Sequence, residues 1–257
     1  MSRIGTAIAV SGKGGTGKTT LSGLLIVSLV KAGKTPVLAI DADPNATLNE
    51  TLGVKSDKSI GLLREEVREN IDSIPVGMPK ETFLEYQIQD AVIEEKGFDM
   101  LAMGRPEGPG CYCYVNSVLR KYMDQISGNY PYVVMDNEAG MEHLARNTTR
   151  QADYLLITTD PSIRGIETAA RIRDLAEEER LKIGHIYLVV NRVEPDSELN
   201  SALKEKIDER KLDLAGIIPR DSLIEEFDLE GKPFFDLPDD APAMIAAKKI
   251  LEQITRR

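Results

Sequence analysis

The sequence predicts an α/β protein built on a doubly wound, mostly parallel sheet flanked by helices. Short runs of β-branched and aliphatic residues alternate with longer amphipathic stretches, as expected when each parallel strand is followed by a crossover helix. The composition, with 42% hydrophobic and 29% charged residues, is typical of a soluble globular protein. No internal repeat, linker or low-complexity tract divides the chain, so we expect residues 1–257 to form one domain.

The individual elements follow from the same alternation. Residues 55–97 are charged and less periodic, so we expect them to form a helical, charged excursion that decorates the sheet edge. Helices are predicted between the strands, for example at 18–32, 163–180 and 197–209. The predicted strands, all rich in aliphatic residues, are 4–10, 35–40, 98–103, 132–136, 154–159, 185–191 and 214–219.

Charge and hydropathy exclude several classes of function. The net charge of −10, with no dense basic stripe, would repel a nucleic-acid backbone. The N-terminus lacks the pattern of an export signal, and the longest apolar run, residues 21–30, is shorter than the roughly 20 residues that cross a bilayer. We therefore expect a cytoplasmic protein that binds neither nucleic acid nor membrane.

The first strand runs into the stretch "SGKGGTGKTT", which matches the phosphate-binding pattern G-x-x-x-x-G-K-[ST] in its required context of strand, loop and helix. Glycines there let backbone N–H groups cradle phosphate oxygens at the positive end of the helix. Lys18 would reach the β- and γ-phosphates, and the Thr19 hydroxyl would ligate Mg²⁺. The predicted nucleotide-binding residues are Gly12, Lys13, Gly14, Gly15, Thr16, Gly17, Lys18, Thr19 and Thr20.

The second lysine of this loop, Lys13, makes the chain resemble the deviant Walker A class of P-loop NTPases, which includes MinD, ParA and the nitrogenase iron protein. The resemblance implies a homodimer in which Lys13 crosses the interface to the phosphates bound by the partner. It also implies that ATP is hydrolysed to ADP and phosphate, with Lys13 and Lys18 as catalytic residues. The alternative is that Lys13 is a solvated loop lysine.

Two further stretches, "DADPN" and "DNEAG", follow predicted strands and are similar to the two switches of this class. The resemblance implies that Asp43 positions the attacking water and that Asp41 lies beside it in the Mg²⁺ shell. It implies that Asp136 is a catalytic residue near Mg²⁺ and that Gly140 senses the γ-phosphate. The alternative for either of the first two aspartates is that it merely caps a turn before Pro44.

The last two predicted strands end in residues that could form a base pocket. Asn191 matches the position where the class reads the adenine edge, and a side-chain amide offers both a donor and an acceptor for that edge. Pro219, in "IIPRD", is similar to a second wall of the pocket. For Pro219 and Asp221, simple turn formation is the alternative.

The only two cysteines, Cys111 and Cys113, lie together in "GPGCYCYVNS". A thioredoxin-like redox pair would have two intervening residues, so metal binding suits this spacing better. Two thiolates supply half of a tetrahedral soft-metal site, and a face-to-face dimer would bring two pairs together. The thiolates alone do not choose between Ni²⁺ and Zn²⁺, and a bridging Fe–S cluster also satisfies four thiolates.

This combination resembles the CooC family of accessory ATPases, which serve nickel enzymes. The resemblance rests on "SGKGGTGKTT", "DADP", "CYC" with Asn116 and Ser117, and "DNEAGMEHLARNTT", in matching order across essentially the whole chain. It implies a client that is carbon monoxide dehydrogenase or acetyl-CoA synthase, and it includes Glu142 and His143. For His143, a metal or relay role and a structural role both stay open.

Two competing functions belong to other members of the same class. One is an electron-transfer ATPase like the nitrogenase iron protein, although this chain has no cysteine after Asp136. The other is a positioning ATPase of the MinD or ParA kind, for which the tail "IAAKKILEQITRR" would form an amphipathic membrane helix. A last helix that packs its apolar stripe on the sheet is the expectation we favour for that tail.

Overall fold

The computed structural model describes residues 5–43, 45, 47–55, 59–62, 75, 77–104, 126, 128–138, 151–195 and 197–256. In these residues eight strands form one sheet, in the order β3-β4-β2-β5-β1-β6-β7-β8. All neighbours are parallel except the edge strand β3, which is antiparallel to β4. The strands are β1 (Thr6–Gly12), β2 (Val37–Asp41), β3 (Ile93–Glu95), β4 (Phe98–Ala102), β5 (Tyr132–Asp136), β6 (Gln151–Thr159), β7 (Lys182–Val193) and β8 (Leu214–Pro219).

Helices cover both faces of the sheet, so the predicted doubly wound α/β fold is confirmed. On one face α1 packs against α7, and on the other α4 packs against α5. A short 3-10 turn, Phe234–Asp236, precedes the last helix. The described helices are α1 (Lys18–Lys31), α2 (Leu48–Leu52), α3 (Lys80–Asp90), α4 (Ile163–Glu178), α5 (Ser201–Glu209), α6 (Ser222–Glu230) and α7 (Pro242–Thr255).

The central strand β1 shows why the sheet has two cores. Ala7 and Ala9 face the core beneath α4 and α5, while Ile8 and Val10 face the core beneath α1 and α7. All four side chains are fully buried. A strand covered on both faces needs an almost continuous apolar run, which is the pattern from which it was predicted.

Element boundaries differ from the predictions where tertiary contacts set them. Strand β1 continues to Gly12 because Ser11 and Gly12 pair with β6. Helix α5 begins at Ser201 rather than at 197, because the Asn200 side chain accepts a hydrogen bond from the Leu203 N–H at 2.9 Å. Within the predicted excursion at residues 55–97, the structure has helix α3 and the edge strand β3.

The C-terminal helix α7 packs as expected on the sheet. Ile250, Leu251 and Ile254 are buried, and only Ile245 of the predicted apolar stripe is exposed, at 39%. No helix in the described part of the chain is both long enough and apolar enough to cross a membrane.

The sheet order places a crevice at the end of β1. The described sheet extends from β1 through β5, β2, β4 and β3 on one side and through β6, β7 and β8 on the other. In open α/β sheets, ligands bind outside the carboxyl ends of the strands at such a switch point. The loop that follows β1 lies there.

Candidate functional site

The loop between β1 and α1, residues 12–17, approaches its neighbours so closely that only glycine fits at two positions. Gly12 has φ 154°, and a Cβ there would lie 2.4 Å from the Thr158 carbonyl oxygen. Gly17 has φ 89°, and a Cβ there would lie 2.1 Å from Asn191 Nδ2. Strands β6 and β7 therefore press directly on the loop.

Side chains from these strands hold the loop backbone. Asn191 Nδ2 donates a hydrogen bond to the Thr16 carbonyl oxygen at 2.9 Å. Thr16 Oγ1 donates to the Lys13 carbonyl oxygen at 2.8 Å and lies 2.8 Å from Thr158 Oγ1. Helix α1 then begins without a side-chain cap. Its first N–H groups have no partner within the helix, which makes them donors for an anion.

A polar cluster lies beside the first turn of α1. The Thr19 hydroxyl donates to Asp136 Oδ2 at 2.6 Å, and the Ser22 hydroxyl donates to Asp136 Oδ1 at 3.2 Å. Lys18 is buried, with 8% of its surface exposed. Asp41 is the register partner of Asp136 on the neighbouring strand, so two carboxylates lie side by side at the crevice.

These two carboxylates are buried, and burial controls their acidity. Burial raises the pKa of Asp136 to about 7, and the nearby Asp41 charge adds to the rise, while the Thr19 hydrogen bond opposes it. Burial likewise raises the pKa of Asp41 to about 6, against hydrogen bonds from the Leu48 and Asp43 N–H groups. The site therefore holds negative charge that the described side chains do not fully compensate.

The donor set suits Mg²⁺. Carboxylate and hydroxyl oxygens are the ligands that this hard cation prefers, and a divalent ion would compensate the buried charge. Asp136, Asp41 and Thr19 are the described residues that would hold it. Thr19 and Asp136 were both predicted for this role from the sequence, and the structure brings them into direct contact.

Asp43, the predicted catalytic residue of the first switch, forms a local turn. Its Oδ1 accepts a hydrogen bond from the Asn45 N–H at 2.8 Å, and its own N–H donates to Asp41 Oδ1 at 3.0 Å. This is the turn-capping geometry named above as the alternative. The carboxylate lies at the crevice, and its role toward water stays a prediction.

The residues predicted for the base pocket, Asn191 and Pro219, line a cleft of about 110 Å³ between β7, β8 and α6, together with Asp221. Base binding there stays a prediction. Asn191 already uses both amide groups, because its Oδ1 accepts from the Arg192 N–H at 2.9 Å. Asp221 accepts hydrogen bonds from the N–H groups of Leu223 and Ala243, both at 3.0 Å. The two side chains therefore shape the cleft as well as line it.

Of the residues predicted for the site, Lys13 is described and its side chain is exposed. Several other predicted residues lie outside the described part of the chain. Within the described ranges no group of three or more His, Cys, Asp or Glu side chains could hold a metal ion. The sequence predictions that fall outside these ranges concern Cys111, Cys113, Asn116, Ser117, Gly140, Glu142 and His143.

Sequence reasoning missed four residues that the structure brings to the site: Ser22, Asn137, Thr158 and Arg192. Ser22 lies one helical turn after Thr19, so helical spacing could have placed it near the same carboxylate. Asn137 Nδ2 donates to the Val10 carbonyl oxygen at 2.9 Å and ties β5 to β1. For Thr158 and Arg192 the signal was weak, because polar residues at strand ends are common.

Comparison of the sequence with known proteins finds one matching family model and relatives that align over nearly the whole chain. A sequence profile of the CobQ/CobB/MinD/ParA nucleotide binding domain matches residues 7–234. An uncharacterized ATP-binding protein of Methanocaldococcus jannaschii is 43% identical over 252 residues, covering 97% of this chain and 98% of that protein. The carbon monoxide dehydrogenase accessory protein CooC of Rhodospirillum rubrum is 32% identical over 262 residues, covering 96% of this chain and 97% of that protein.

A solved structure supports the architecture. The cell division ATPase MinD of Pyrococcus furiosus superposes with a TM-score of 0.71, covering 97% of this chain and 98% of that one. The two sequences are 24% identical, so the likeness concerns the fold. The two proteins thus share the overall fold of a sheet with flanking helices.

Proposed function

This chain belongs to the CobQ/CobB/MinD/ParA nucleotide-binding family, and from that premise we propose that it is a dimerising ATPase that serves the maturation of a nickel enzyme. In this proposal ATP binding closes the dimer and hydrolysis to ADP and phosphate reopens it. The cycle gates transfer of nickel to carbon monoxide dehydrogenase or acetyl-CoA synthase, or a conformational opening of that client.

The ATPase part rests on the incompletely compensated negative charge beside the loop. Asp41 and Asp136 are buried side by side, and Asp136 accepts a hydrogen bond from Thr19 in the first turn of the uncapped helix α1. An Mg²⁺ ion, when bound, would neutralise charge that develops on the β- and γ-phosphate oxygens. Lys18 would hold the same phosphates. In the proposal Asp43 orients the attacking water through Oδ2, while Oδ1 accepts the Asn45 N–H.

The remaining nucleotide contacts are proposed by position. Asn191 and Pro219 would form walls of the base pocket, and the loop glycines would approach the phosphates. Gly140 would sense the γ-phosphate. Lys13 is exposed at the rim of the loop, where it is free to reach a facing subunit. Dimer closure and nucleotide binding would then be one event.

The maturation part rests on one observation, which is the 32% identity to CooC over 96% of this chain, in a sequence that also carries the Cys-x-Cys pair. By its name, that relative is a carbon monoxide dehydrogenase accessory protein. In the proposal, Cys111 and Cys113 of two subunits bind one Ni²⁺ through four thiolates. Zn²⁺ also accepts tetrahedral thiolate sites and would compete.

The experiment is an anaerobic titration of reduced protein with Ni²⁺ and with Zn²⁺, with oligomer mass followed by light scattering. The Cys111→Ser/Cys113→Ser double variant is compared with the wild type and with Ser201→Ala, a control substitution at the exposed first residue of α5. We expect one metal ion per two chains, dimerisation driven by metal, and loss of both in the double variant.

Other outcomes would redirect the proposal. If wild type and double variant both ignore metal and dimerise with Mg·ATP, the cysteines are incidental and a positioning ATPase is the better reading. Binding of liposomes that is lost in Ile245→Glu, which changes the exposed apolar side chain of α7 and leaves its buried face intact, would support that function. Four iron atoms per dimer after anaerobic reconstitution would instead support an Fe–S electron-transfer ATPase.

A further inference from the structure

Strand β7 has an irregularity at the point where it reaches the site. Its pairing with β8 runs from Val190↔Ile217 to Val193↔Pro219, so β7 has one extra residue in this interval. Bulges of this kind bend a strand and re-aim its side chains, and they occur beside active sites. Asn191 and Arg192 lie within the bulge.

Arg192 has an unusual backbone conformation there. Its φ is +57°, in the left-handed region that residues with a side chain adopt at a cost. The conformation is held because the Arg192 N–H donates to Asn191 Oδ1 at 2.9 Å. A conformation that costs energy and is held by specific bonds at a site is a sign of function.

The bulge directs the Arg192 side chain to the phosphate loop. Arg192 Nη1 donates a hydrogen bond to the Gly15 carbonyl oxygen at 3.0 Å. Within the described residues, no carboxylate forms an ion pair with Arg192, although the neighbouring Arg220 pairs with Glu225 at 2.8 Å. In the described structure, the guanidinium therefore hydrogen-bonds the loop backbone and forms no surface ion pair.

The neighbouring side chain completes the contact. Asn191 Nδ2 binds the next carbonyl, that of Thr16, so two successive loop carbonyls accept hydrogen bonds from two successive residues of β7. Backbone carbonyls that are fixed in this way cannot turn toward a bound phosphate, and they leave the loop N–H groups to bind it.

We propose that Arg192 is a positioning residue for nucleotide binding, which holds the phosphate loop in its anion-accepting conformation through the Gly15 carbonyl. The inference rests on the proposed ATPase function, and it adds a residue to which no role in that function has been given. Arg192 acts through the loop backbone and adds a positive charge at its rim. The left-handed backbone conformation of Arg192 directs its guanidinium from β7 toward the Gly15 carbonyl oxygen.

The test compares substitutions that distinguish loss of the side-chain contact from a change in backbone strain. Asn tolerates the left-handed region but is too short to reach Gly15, so Arg192→Asn removes the contact without adding strain. Arg192→Lys keeps the charge with a single donor group. Arg180, which also has a positive φ, of 52°, follows α4 far from the loop, so Arg180→Asn is the matched control.

Two readouts are measured, and the first is affinity for Mg·ADP by calorimetry. We expect Arg192→Asn to weaken binding about fivefold, which corresponds to about 1 kcal/mol. Arg192→Lys should recover part of the loss, and Arg180→Asn should bind as the wild type does. The second readout is hydrogen exchange of the peptide that spans residues 12–20 without nucleotide, which should be faster in Arg192→Asn only.

The outcomes are distinguishable. If Arg192→Asn binds Mg·ADP as tightly as the wild type, the inference is overturned while the ATPase proposal stands. If affinity falls but loop exchange is unchanged, Arg192 acts as a charge and the positioning role is overturned. If the wild type binds no Mg·ADP, the proposed function fails and the inference fails with it. Arg192→Gly, which also accepts a positive φ, replaces the Asn variant if that protein does not fold.

Discussion

At the scale of single residues, two side chains work against the stability of the protein that contains them. Asp41 and Asp136 lie on adjacent strand ends and are 0% and 1% exposed. Desolvation of each carboxylate and repulsion between them favour the protonated forms in the folded state. The site thus holds its acidic groups in an environment that a cation would improve.

This arrangement predicts an inverse dependence of stability on pH. The pKa of Asp136 rises to about 7 and that of Asp41 to about 6, from a usual value of 3.8. The folded state therefore keeps its protons to higher pH than the unfolded chain does. The contribution of the two carboxyl groups to the free energy of unfolding is therefore highest below pH 3.8, where both are protonated in either state. It falls as the pH rises through 6 and 7, where they ionise in the folded state.

Chemical denaturation in EDTA, from about pH 4.5 to about pH 8, measures this effect. We expect this pair to lower the free energy of unfolding across that range, and we expect Asp136→Asn to flatten the dependence and to be more stable than the wild type at the upper end. Asp208→Asn, an exposed substitution on α5, is the matched control. Identical pH dependence in the wild type and Asp136→Asn would contradict the prediction.

At the scale of helices and strands, a single carboxylate connects the starts of two helices. Asp221 Oδ1 accepts the Leu223 N–H at the start of α6, and Oδ2 accepts the Ala243 N–H at the start of α7. The residue is 7% exposed. Each helix start would otherwise leave a buried donor without an acceptor, so Asp221 fixes the angle at which β8, α6 and α7 meet.

The consequence is a large effect from one substitution. Asp221→Ala removes two acceptors, and we expect it to lower the free energy of unfolding by about 2–3 kcal/mol, measured by urea denaturation. Asn200→Ala, which removes the single cap of α5, should lower it by about 1 kcal/mol. Equal losses for the two variants would show that one of the Asp221 bonds contributes nothing.

At the scale of the whole molecule, the sequence predicted those parts of the fold that follow from local pattern. Strands β2 and β5 are apolar runs that end in a single aspartate, so both the strands and the position of Asp41 and Asp136 could be predicted. The extra length of β7 could not, because Lys182 joins the strand only by pairing with Gln151. Pairing depends on residues that are distant in sequence.

The site was predictable to the same extent. The spacing of the motif predicts a loop between a strand and a helix, and the structure has that loop between β1 and α1. The role of its residues in phosphate binding stays a prediction. The roles of Asn191 and Arg192 in holding the loop were not predictable, since each contact spans 175 residues or more. The bulge that aims Arg192 arises from a register shift between β7 and β8, which no local pattern encodes.

Dimerisation is the property of the whole molecule that the proposed function requires. We expect Mg·ATP to convert the wild type from monomer to dimer in light scattering. Lys13→Ala should bind Mg·ATP but dimerise at least tenfold more weakly, because the cross-interface charge is lost. Lys204→Ala, which removes an exposed lysine that pairs with Glu198, is the control. Equal dimerisation of all three proteins would show that Lys13 has no role between subunits.

The place of β1 in the sheet also has a consequence for the way the protein is made. In the described sheet β1 pairs only with β5 and β6, and the Ala7 N–H bonds Asp153 Oδ2 across 146 residues of chain. During synthesis, more than half of the polypeptide must therefore leave the ribosome before this strand gains its second neighbour. Until then its apolar edges are open to wrong partners, including other nascent chains. The loop after β1 gains its contacts with Asn191 and Arg192 later still, because these residues belong to β7.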